Sequence, residues 1–267
     1  MYKLLTKILT NRLTKILDEN QPREQAGFRS GFSTIDHLHS INQLIEKANE
    51  YNIPLCLAFV DYEKAFDSIE HNAVFDSLRE QGINENYIQL LENIYSNSTA
   101  IIKLHKNSNE IKVAKGVRQG DTISPKLFIA SLESIFRKTD WDGIGINIDG
   151  EYLNNLRFAD DIELATEKNE DLQNMLSDLN KESNKVGLKM NKGKTKVMFN
   201  DKANKGTIRI DEEALEEVNE YIYLGQLITL GKGHEPEIKR RITLGWKAFS
   251  KYKDVLKCKK IPMCLKR

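Results

Sequence analysis

Hydrophobic and polar positions follow two different periods along this chain. In residues 3–18, and again in 172–186, apolar side chains recur three and four positions apart, which is the spacing of one face of a helix. The run LCLAFVDY at 55–62 is apolar almost throughout, which predicts a strand buried on both faces. The segment GIGINIDGEYLNNLRF at 143–158 predicts a hairpin that turns at its Asp-Gly pair. The chain is therefore predicted to combine helices with strands joined by hairpins.

Capping residues indicate where several helices begin and end. Ser33 precedes a helix predicted to run through Ala48, and Ser124 with Pro125 predicts the start of another helix. Gly187 predicts the end of the helix over 172–186. The remaining predicted elements are helices over 72–80 and from 84, hairpins over 99–115 and 220–229, strands at 194–199 and 207–210, and a basic helix over 235–256. Because hairpins replace regular βαβ units, we expect an α+β fold built on an antiparallel sheet.

Composition limits the class of protein. The chain has 267 residues, 40% of them apolar, which is enough to bury a large core. Its mean hydropathy is −0.51 and its longest apolar run is 53–60, which is too short for the roughly 20 residues of a membrane span. The basic, amphipathic N-terminus lacks the features of a signal peptide. Three cysteines, Cys56, Cys258 and Cys264, match no disulfide framework or zinc spacing, so we expect reduced thiols and an intracellular location, nuclear or cytoplasmic.

Charge is distributed unevenly although the net charge is only +1. Residues 232–267 contain twelve lysines or arginines against three acids, so the rest of the chain is acidic overall. Such a segment can bind a polyanion such as nucleic acid, although a solvated helix face would have the same composition.

Three aspartates stand at the ends of predicted core strands. Asp61 follows LCLAFV, and Asp160 and Asp161 follow LRF. Adjacent carboxylates repel one another unless a cation neutralises them, although two aspartates are also common in a solvated turn. Oxygen ligands without histidine or cysteine suit Mg²⁺, or Mn²⁺, better than zinc. If these aspartates meet in space, they could hold the pair of ions that serves phosphoryl transfer.

Six stretches in order carry a resemblance to a known family. They are QAGFRSGFSTIDH, FVDYEKAFDSIEH, GVRQGDTISPKLF, RFADD, GLKMNKGKT and YLGQLI. Together they resemble the reverse transcriptase domain of non-long-terminal-repeat (LINE-type) retrotransposons over roughly residues 4 to 228. The resemblance implies a right-hand polymerase fold with an antiparallel-sheet palm flanked by helices, and an RNA-directed DNA polymerase activity that uses Mg²⁺.

The resemblance assigns the metal site and the sugar site. Asp61, Asp160 and Asp161 match the family's metal-binding catalytic aspartates. A backbone carbonyl beside Asp61 would be a further metal ligand. It would come from Val60 or Tyr62, and we assign this role to Tyr62. Phe66 matches the aromatic residue that lies beneath the incoming sugar and rejects a 2′-hydroxyl; a core aromatic is the structural alternative.

Further residues are implied to contact the nucleotide or the primer. Gln119 and Gly120 resemble the loop that packs on the nucleotide, or they form an ordinary helix-entry turn. Arg29 could bind a triphosphate, or it could be solvent-exposed or contact RNA. Lys194 resembles the lysine near the leaving pyrophosphate, with a surface lysine as the alternative. The residues that resemble the hairpin gripping the primer end are Tyr223, Leu224 and Gly225.

The same resemblance predicts the domain organisation and the partners. We expect partial fingers over 1–54, a palm with finger elements over 55–228, and the start of a basic thumb over 229–267. The partners would be an RNA template, a DNA primer and deoxynucleoside triphosphates, with no membrane and no stable protein partner. The short fingers and thumb leave open a catalytically inactive remnant that at most binds nucleic acid. An RNA-dependent RNA polymerase is a second alternative, disfavoured by Phe66 and by FADD in place of a Gly-Asp-Asp turn.

Overall fold

A five-stranded sheet lies between two layers of helices and a hairpin. The computed structural model describes residues 1–102, 109–231, 233–258 and 260–265. Its helices are α1 (Tyr2–Glu19), α2 (Thr34–Glu50), α3 (Ala65–Ser68), α4 (His71–Glu80), α5 (Glu85–Ser96), α6 (Ser124–Phe136), α7 (Asn169–Lys185), α8 (Glu235–Lys251), α9 (Lys253–Lys257) and a short 3₁₀ turn at Met263–Leu265. Its strands are β1 (Cys56–Val60), β2 (Thr99–Ala100), β3 (Ile111–Lys112), β4 (Ile146–Ile148), β5 (Glu151–Leu153), β6 (Asn155–Phe158), β7 (Asp161–Thr166), β8 (Lys196–Phe199), β9 (Arg209–Ile210), β10 (Glu213–Ala214), β11 (Glu216–Glu217), β12 (Glu220–Tyr223) and β13 (Gln226–Thr229).

The central strand of the sheet is the apolar run identified in the sequence. The strand order is β11-β8-β1-β7-β6, and every residue of β1 is buried. Strand β1 runs antiparallel to both of its neighbours, and its register with β7 sets Val60 opposite Ile162. Strands β6 and β7 form a hairpin in which Phe158 is paired with Asp161. The prediction of an α+β fold with an antiparallel sheet is confirmed, with one exception, because the edge strand β11 pairs with β8 in parallel.

Side-chain alternation along β1 divides the core between the two faces of the sheet. Ala58 and Val60 point toward α1, α4, α5, α6 and α7. Leu57 and Phe59 point toward α2 and the β12–β13 hairpin. This second layer includes an aromatic contact, in which Tyr221 stacks on Phe59 with ring centroids 4.4 Å apart. The sheet is therefore covered on both faces, which fixes the ends of β1 and β7 rigidly.

Several predicted boundaries are confirmed and two are wrong. The helix start at Ser33 is confirmed, with the Asp36 carboxylate accepting a hydrogen bond from the Ser33 backbone N–H at 2.7 Å. Ser124 does not cap its helix, because Ile123 occupies the cap position and α6 begins at Ser124. The single helix predicted over 235–256 is also wrong, because Tyr252 leaves helical geometry with φ −107° and ψ 10°. No residue of α8 or α9 is buried, so no packing surface enforces a continuous helix there.

The other expectations from composition can be compared with the same coordinates. The predicted hairpin over 99–115 appears as β2 and β3, and residues 103–108 of it lie outside the described residues. All three cysteines are free thiols. Among the helices that the structure describes, none is long and apolar enough to cross a membrane.

Candidate active site

The three aspartates lie together at one edge of the sheet. Asp61 directly follows β1, Asp161 begins β7, and Asp160 belongs to the turn between β6 and β7. Continuing the antiparallel register of β1 and β7 by one residue beyond Val60 and Ile162 sets Asp61 opposite Asp161. The sheet therefore brings together carboxylates that are about a hundred residues apart in the chain.

The loop that follows α1 holds the turn that carries Asp160. At the first central position of this turn, Ala159 has φ +59°, an uncommon value for a residue with a side chain. The Ala159 backbone N–H donates a hydrogen bond of 3.1 Å to Gln25 Oε1, which also accepts one from the Gly27 N–H at 2.8 Å. A Cβ atom at Gly27 would lie only 2.2 Å from the Ala159 nitrogen. The turn is thus packed directly against a glycine that has no room for a side chain.

The segment 187–195 fixes Asp61 from the other side. The Asp61 N–H donates to Thr195 Oγ1 at 3.3 Å, and the Asp61 carbonyl accepts from the Asn191 N–H at 2.8 Å. Tyr62 forms an isolated bridge with Met190, and the two flanking hydrogen bonds, made by Asp61 and Glu63, do not use the Tyr62 carbonyl. The Tyr62 carbonyl therefore remains a candidate metal ligand.

Repulsion and burial change the acidity of the pair. The pKa of Asp161 is raised to about 6, first by removal of its carboxylate from water and then by the negative charges of Asp160 and Asp61. The pKa of Asp160 is also raised, again mainly by desolvation and less by Asp61. One oxygen of Asp61, Oδ2, is buried without a hydrogen bond, and the Lys194 ammonium lies 3.4 Å from it. The three carboxylates thus form an under-neutralised negative site.

The donor set fits a hard divalent cation. Two carboxylates with raised pKa values and a buried carboxylate oxygen without a hydrogen bond are what a site for Mg²⁺ or Mn²⁺ offers. Within the described ranges, no three acidic, histidine or cysteine side chains already converge on one ion-sized position. Binding an ion would therefore require the aspartate side chains to turn toward one another.

A cavity of about 410 Å³ opens beside Asp160. Phe66, from the one-turn helix α3, lines it and stacks on Phe128 with centroids 4.3 Å apart. The ring of Phe28 meets Phe66 edge-on at 6.1 Å. Phe66 is only partly buried, so its ring is both packed on the core and available to a ligand. Its position beside the aspartates supports the sugar-contacting assignment, which stays a prediction.

Gln119 and Gly120 line the same cavity from a loop that is fastened at both ends. Gly120 has φ +79°, which favours glycine. On one side of the pair, the Arg118 guanidinium lies 4.6 Å from the centre of the Tyr2 ring. On the other side, the Tyr2 hydroxyl donates a 2.6 Å hydrogen bond to Asp121. The first turn of α1 therefore positions the loop that forms one wall of the cavity.

The two basic residues singled out in the sequence have different environments. Arg29 does not line the cavity; its guanidinium donates to the backbone carbonyls of Asp18, Pro22 and Gln25, the last at 2.8 Å. Lys194 is highly exposed and close to Asp61. The structure therefore brings Lys194 to the aspartates and gives Arg29 a role in fixing its own loop.

The residues of the predicted primer-gripping hairpin form the turn between β12 and β13. Leu224 and Gly225 have φ +45° and +81°, and Tyr223 is buried beneath them against Phe59. The Gly225 carbonyl accepts hydrogen bonds from the guanidinium groups on α8, at 2.6 Å from Arg240 and 3.1 Å from Arg241. The basic helix is thus attached to the tip of this hairpin, and the primer contact stays a prediction.

Sequence reasoning missed the residues that position the site. Gln25 and Gly27 lie inside one of the recognised motifs, yet nothing in the local sequence indicates that they contact Ala159. Arg118 and Asp121 flank Gln119 and Gly120 in sequence, and this adjacency is the one local feature that could have indicated their role in positioning the loop.

This geometry can be compared with proteins of known class. The family model described as reverse transcriptase (RNA-dependent DNA polymerase) matches residues 1–228. The chain therefore belongs to the reverse transcriptase family, and the resemblance inferred from its motifs is confirmed.

Two relatives of this chain are retrotransposon polyproteins. The chain is 32% identical over 190 residues to a Pol polyprotein from a type-1 R2 retrotransposable element of Nasonia vitripennis. It is 29% identical over 195 residues to the Pol polyprotein of the type-2 element R2DM of Drosophila melanogaster. These alignments cover 69% and 73% of this chain but only 18% of each polyprotein, so the chain spans less than a fifth of the length of these relatives.

Two solved structures that share this fold are telomerases. The apo telomerase of Candida tropicalis, truncated from its C-terminal domain, superposes with a TM-score of 0.61 at 15% identity, covering 84% of this chain and 44% of that one. A telomerase of Candida albicans in complex with a telomeric RNA fragment gives a TM-score of 0.56 at 15% identity, covering 93% and 42%. At this identity the likeness establishes the polymerase fold alone.

Proposed function

We propose that this chain is an RNA-directed DNA polymerase domain of a retrotransposon, which extends a DNA primer with deoxynucleotides on an RNA template. The observation that carries the proposal is the meeting of Asp61, Asp160 and Asp161 beside a cavity lined by Phe66. In this proposal the aspartates would hold divalent cations next to a cavity that would take the nucleotide sugar. Members of the reverse transcriptase family generally depend on divalent metal ions, and the donor set here favours Mg²⁺, with Mn²⁺ as a substitute.

The aspartates would hold the ions, with the Tyr62 carbonyl as a further ligand. Two ions held there would supply activation of the primer 3′-hydroxyl and stabilisation of charge on the triphosphate. The protein's own part is positional: Gln25 and Gly27 fix the turn of Asp160, and Thr195 fixes the backbone of Asp61.

The cavity walls would set the choice of nucleotide. The ring of Phe66 is held between Phe28 and Phe128, so it cannot retreat easily from a 2′-hydroxyl placed against it. Gln119 and Gly120 line the cavity and would face the base and the template. Lys194 beside Asp61 would neutralise negative charge on the departing pyrophosphate.

Primer and template would lie across the surface formed by the β12–β13 hairpin and the basic helix α8. In this proposal residues 1–54 belong to the fingers, 55–228 to the palm and 229–267 to the thumb. The reduced thiols suit an intracellular place of action.

Primer extension tests the proposal. The protein is given an annealed RNA template and DNA primer with Mg²⁺, and either deoxynucleotides or ribonucleotides. We expect extension with deoxynucleotides that disappears in Asp160→Asn, because that variant keeps the shape of the turn and loses the charge. No extension by a folded wild-type protein would instead support the inactive remnant, and extension with ribonucleotides alone would support an RNA polymerase.

A further inference from the structure

A second cavity lies between α6 and β6, the strand at one edge of the sheet. Its volume is about 210 Å³, and it shares no lining residue with the cavity beside Asp160. Asn155 and Arg157 line it from β6, and Glu133 and Phe136 line it from α6. Because sites for drug-sized ligands have volumes of roughly 300–1,000 Å³, this cavity suits a single small ring rather than a whole nucleotide.

Three buried polar atoms belong to residues that line this second cavity. Trp141, Asn155 and Arg157 are only 6%, 8% and 3% exposed. Within the residues that the structure describes, Trp141 Nε1, Asn155 Oδ1 and Arg157 Nε have no hydrogen-bond partner. Buried polar atoms of folded proteins are nearly always paired, so each exception needs an explanation. Together these three atoms offer a ligand two N–H donors and one carbonyl acceptor.

The walls of the cavity are held in place by contacts among themselves. The Arg157 guanidinium is ion-paired with Glu133 at 3.0 Å and lies 4.0 Å from the centre of the Phe136 ring. The indole of Trp141 meets Phe136 edge-on, with ring centroids 5.4 Å apart. The side chain of Asn155 donates to Asn154 Oδ1 at 2.6 Å, which leaves its own Oδ1 free to accept. The site is therefore preformed, and its aromatic and guanidinium groups suit a flat ring.

Charge around the cavity disfavours an anionic ligand. Arg137 and Arg157, the basic residues of the lining, both pair with Glu133, at 2.9 and 3.0 Å. Glu24 and Asp142 also line the cavity, and neither has an ion pair in the described ranges. Acidic side chains thus outnumber basic ones, so phosphate would be repelled from the interior. The ligand should be an uncharged ring that carries hydrogen-bonding groups.

We propose that this cavity binds one unpaired pyrimidine base of a single-stranded RNA. The pairing edges of cytosine and uracil each carry two acceptors and one donor, the complement of the two donors and one acceptor found here, whereas guanine carries one acceptor and two donors. The sugar and phosphate would stay at the mouth, outside the acidic interior. The identification of the RNA as the template rests on the proposed function, but the base pocket itself requires no polymerase activity.

Fluorescence of Trp141 tests the proposal at the cavity itself. The chain has two tryptophans, and Trp246 lies on α8 with 66% exposure, so Trp246→Phe leaves Trp141 as the single reporter. This protein is titrated, without metal, primer or triphosphate, with the RNA tetranucleotides of cytidine, uridine and adenosine and with an abasic strand that keeps the phosphates. We expect the two pyrimidine strands to change the Trp141 emission saturably and free cytidine to compete with them. The adenosine strand should bind about fivefold more weakly, because adenine offers one acceptor fewer, and the abasic strand should cause no change.

Two variants in the same Trp246→Phe protein locate the bound base. Thr139→Phe places a ring in the cavity and keeps all three polar atoms, and Asn155→Ala removes the acceptor. Each should weaken binding of the cytidine tetranucleotide by at least about tenfold. Asn174→Ala removes an exposed side chain on α7 outside the cavity and should bind like the parent protein. Thermal melting checks that each variant is folded, and Thr139→Phe decides the matter if Asn155→Ala is not.

Several results would overturn the proposal. They are no response of Trp141 to either pyrimidine strand, an equal response to the abasic strand, equal affinity for the adenosine and cytidine strands, or full binding by folded Thr139→Phe. A response to an asparagine or glutamine dipeptide but not to cytidine would assign the cavity to a protein partner instead. Failure of the proposed function looks different, because primer extension would be absent while Trp141 still responded to pyrimidines.

Discussion

Replacing Gly27 by alanine should displace the active-site turn while leaving the fold intact. The added Cβ would lie 2.2 Å from the Ala159 nitrogen and 2.9 Å from its Cα, whereas ordinary contacts begin near 3.4 Å. Both atoms belong to backbone, which cannot rotate away as a side chain can. Either the Gly27 loop or the turn must therefore move by about 1 Å, and Asp160 is the next residue after Ala159.

The expected loss is large for activity and modest for stability. A displacement of about 1 Å in a catalytic group can reduce the rate by about a hundredfold. Forcing one methyl group into a packed contact costs about 1–3 kcal/mol of unfolding free energy, or a fall in Tm of a few degrees in a chain of this size. Single-turnover primer extension measures the first quantity, and thermal melting followed by circular dichroism measures the second.

A matched glycine separates this effect from a general intolerance of alanine. At Gly206 a Cβ would approach Asn169 Nδ2 even more closely, at 1.8 Å, but that atom ends a side chain that can turn away. Gly206→Ala should therefore keep wild-type activity. If Gly27→Ala extends primers within about threefold of the wild-type rate, the contact with Ala159 does not position Asp160 and the reasoning is refuted. Should Gly27→Ala fail to fold, Gln25→Ala provides the second test, because it removes the acceptor of the Ala159 N–H.

Three further predictions concern the metal, a buried acid and the sugar. Mg²⁺ at about ten times its Kd should stabilise the wild-type protein by about 1.4 kcal/mol, which thermal melting would show as a rise in Tm of several degrees. An equal rise in Tm in Asp161→Asn would contradict the metal site. Glu163 is fully buried with both carboxylate oxygens unpaired, and its pKa is raised by burial from 4.5 to about 8. Because folded Glu163 keeps a proton that the unfolded chain loses, the unfolding free energy of the wild-type protein should fall as pH rises from about 4.5 to 8. Glu163→Gln should lack this decline and be about 2–4 kcal/mol more stable than wild type near pH 8. Urea denaturation at several pH values tests this, and the same pH dependence of stability in both proteins would contradict it. Phe66→Val should lower discrimination against ribonucleotides by at least about tenfold in primer extension, and unchanged discrimination would place the sugar elsewhere.

Elements with a strong local pattern were predictable from the sequence. The buried strand at 56–60, the hairpin turning at Asp149-Gly150 and the long helix α7 each follow from spacing and turn chemistry within a few residues. At the end of α7, Gly187 takes φ +83° as expected of a residue just beyond a helix C-terminus. In these segments the local preference and the tertiary structure agree.

The errors occur where distant parts of the chain decide the outcome. The break at Tyr252 lies where no residue of α8 or α9 is buried, which the amphipathic pattern of 235–256 does not reveal. The parallel pairing of β11 with β8 depends on a strand, β11, whose two residues leave almost no periodic signal. Periodicity shows which face of an element is apolar, but it does not show whether a partner covers that face.

The residues of the candidate site likewise differ in how far the local sequence predicts their role. The three aspartates that meet at the edge of the sheet could be named from motifs, because each stands at the end of a strand that the local sequence defines. The use of each positive charge could not be named, because it depends on contacts between remote segments. Arg29 donates to carbonyls of its own loop and of α1, and Arg118 is held by α1 and α5.

The difference between the aspartates and the basic residues has a physical cause. A carboxylate placed at a strand end is located by the hydrogen-bond register of the sheet, which the sequence specifies strongly through the burial of alternate side chains. An arginine or lysine reaches its partner through a long side chain, so that several partners lie within range of one backbone position. Aspartates at the strand ends of such a fold are therefore identifiable from sequence, whereas the partners of its arginines and lysines become known only from coordinates.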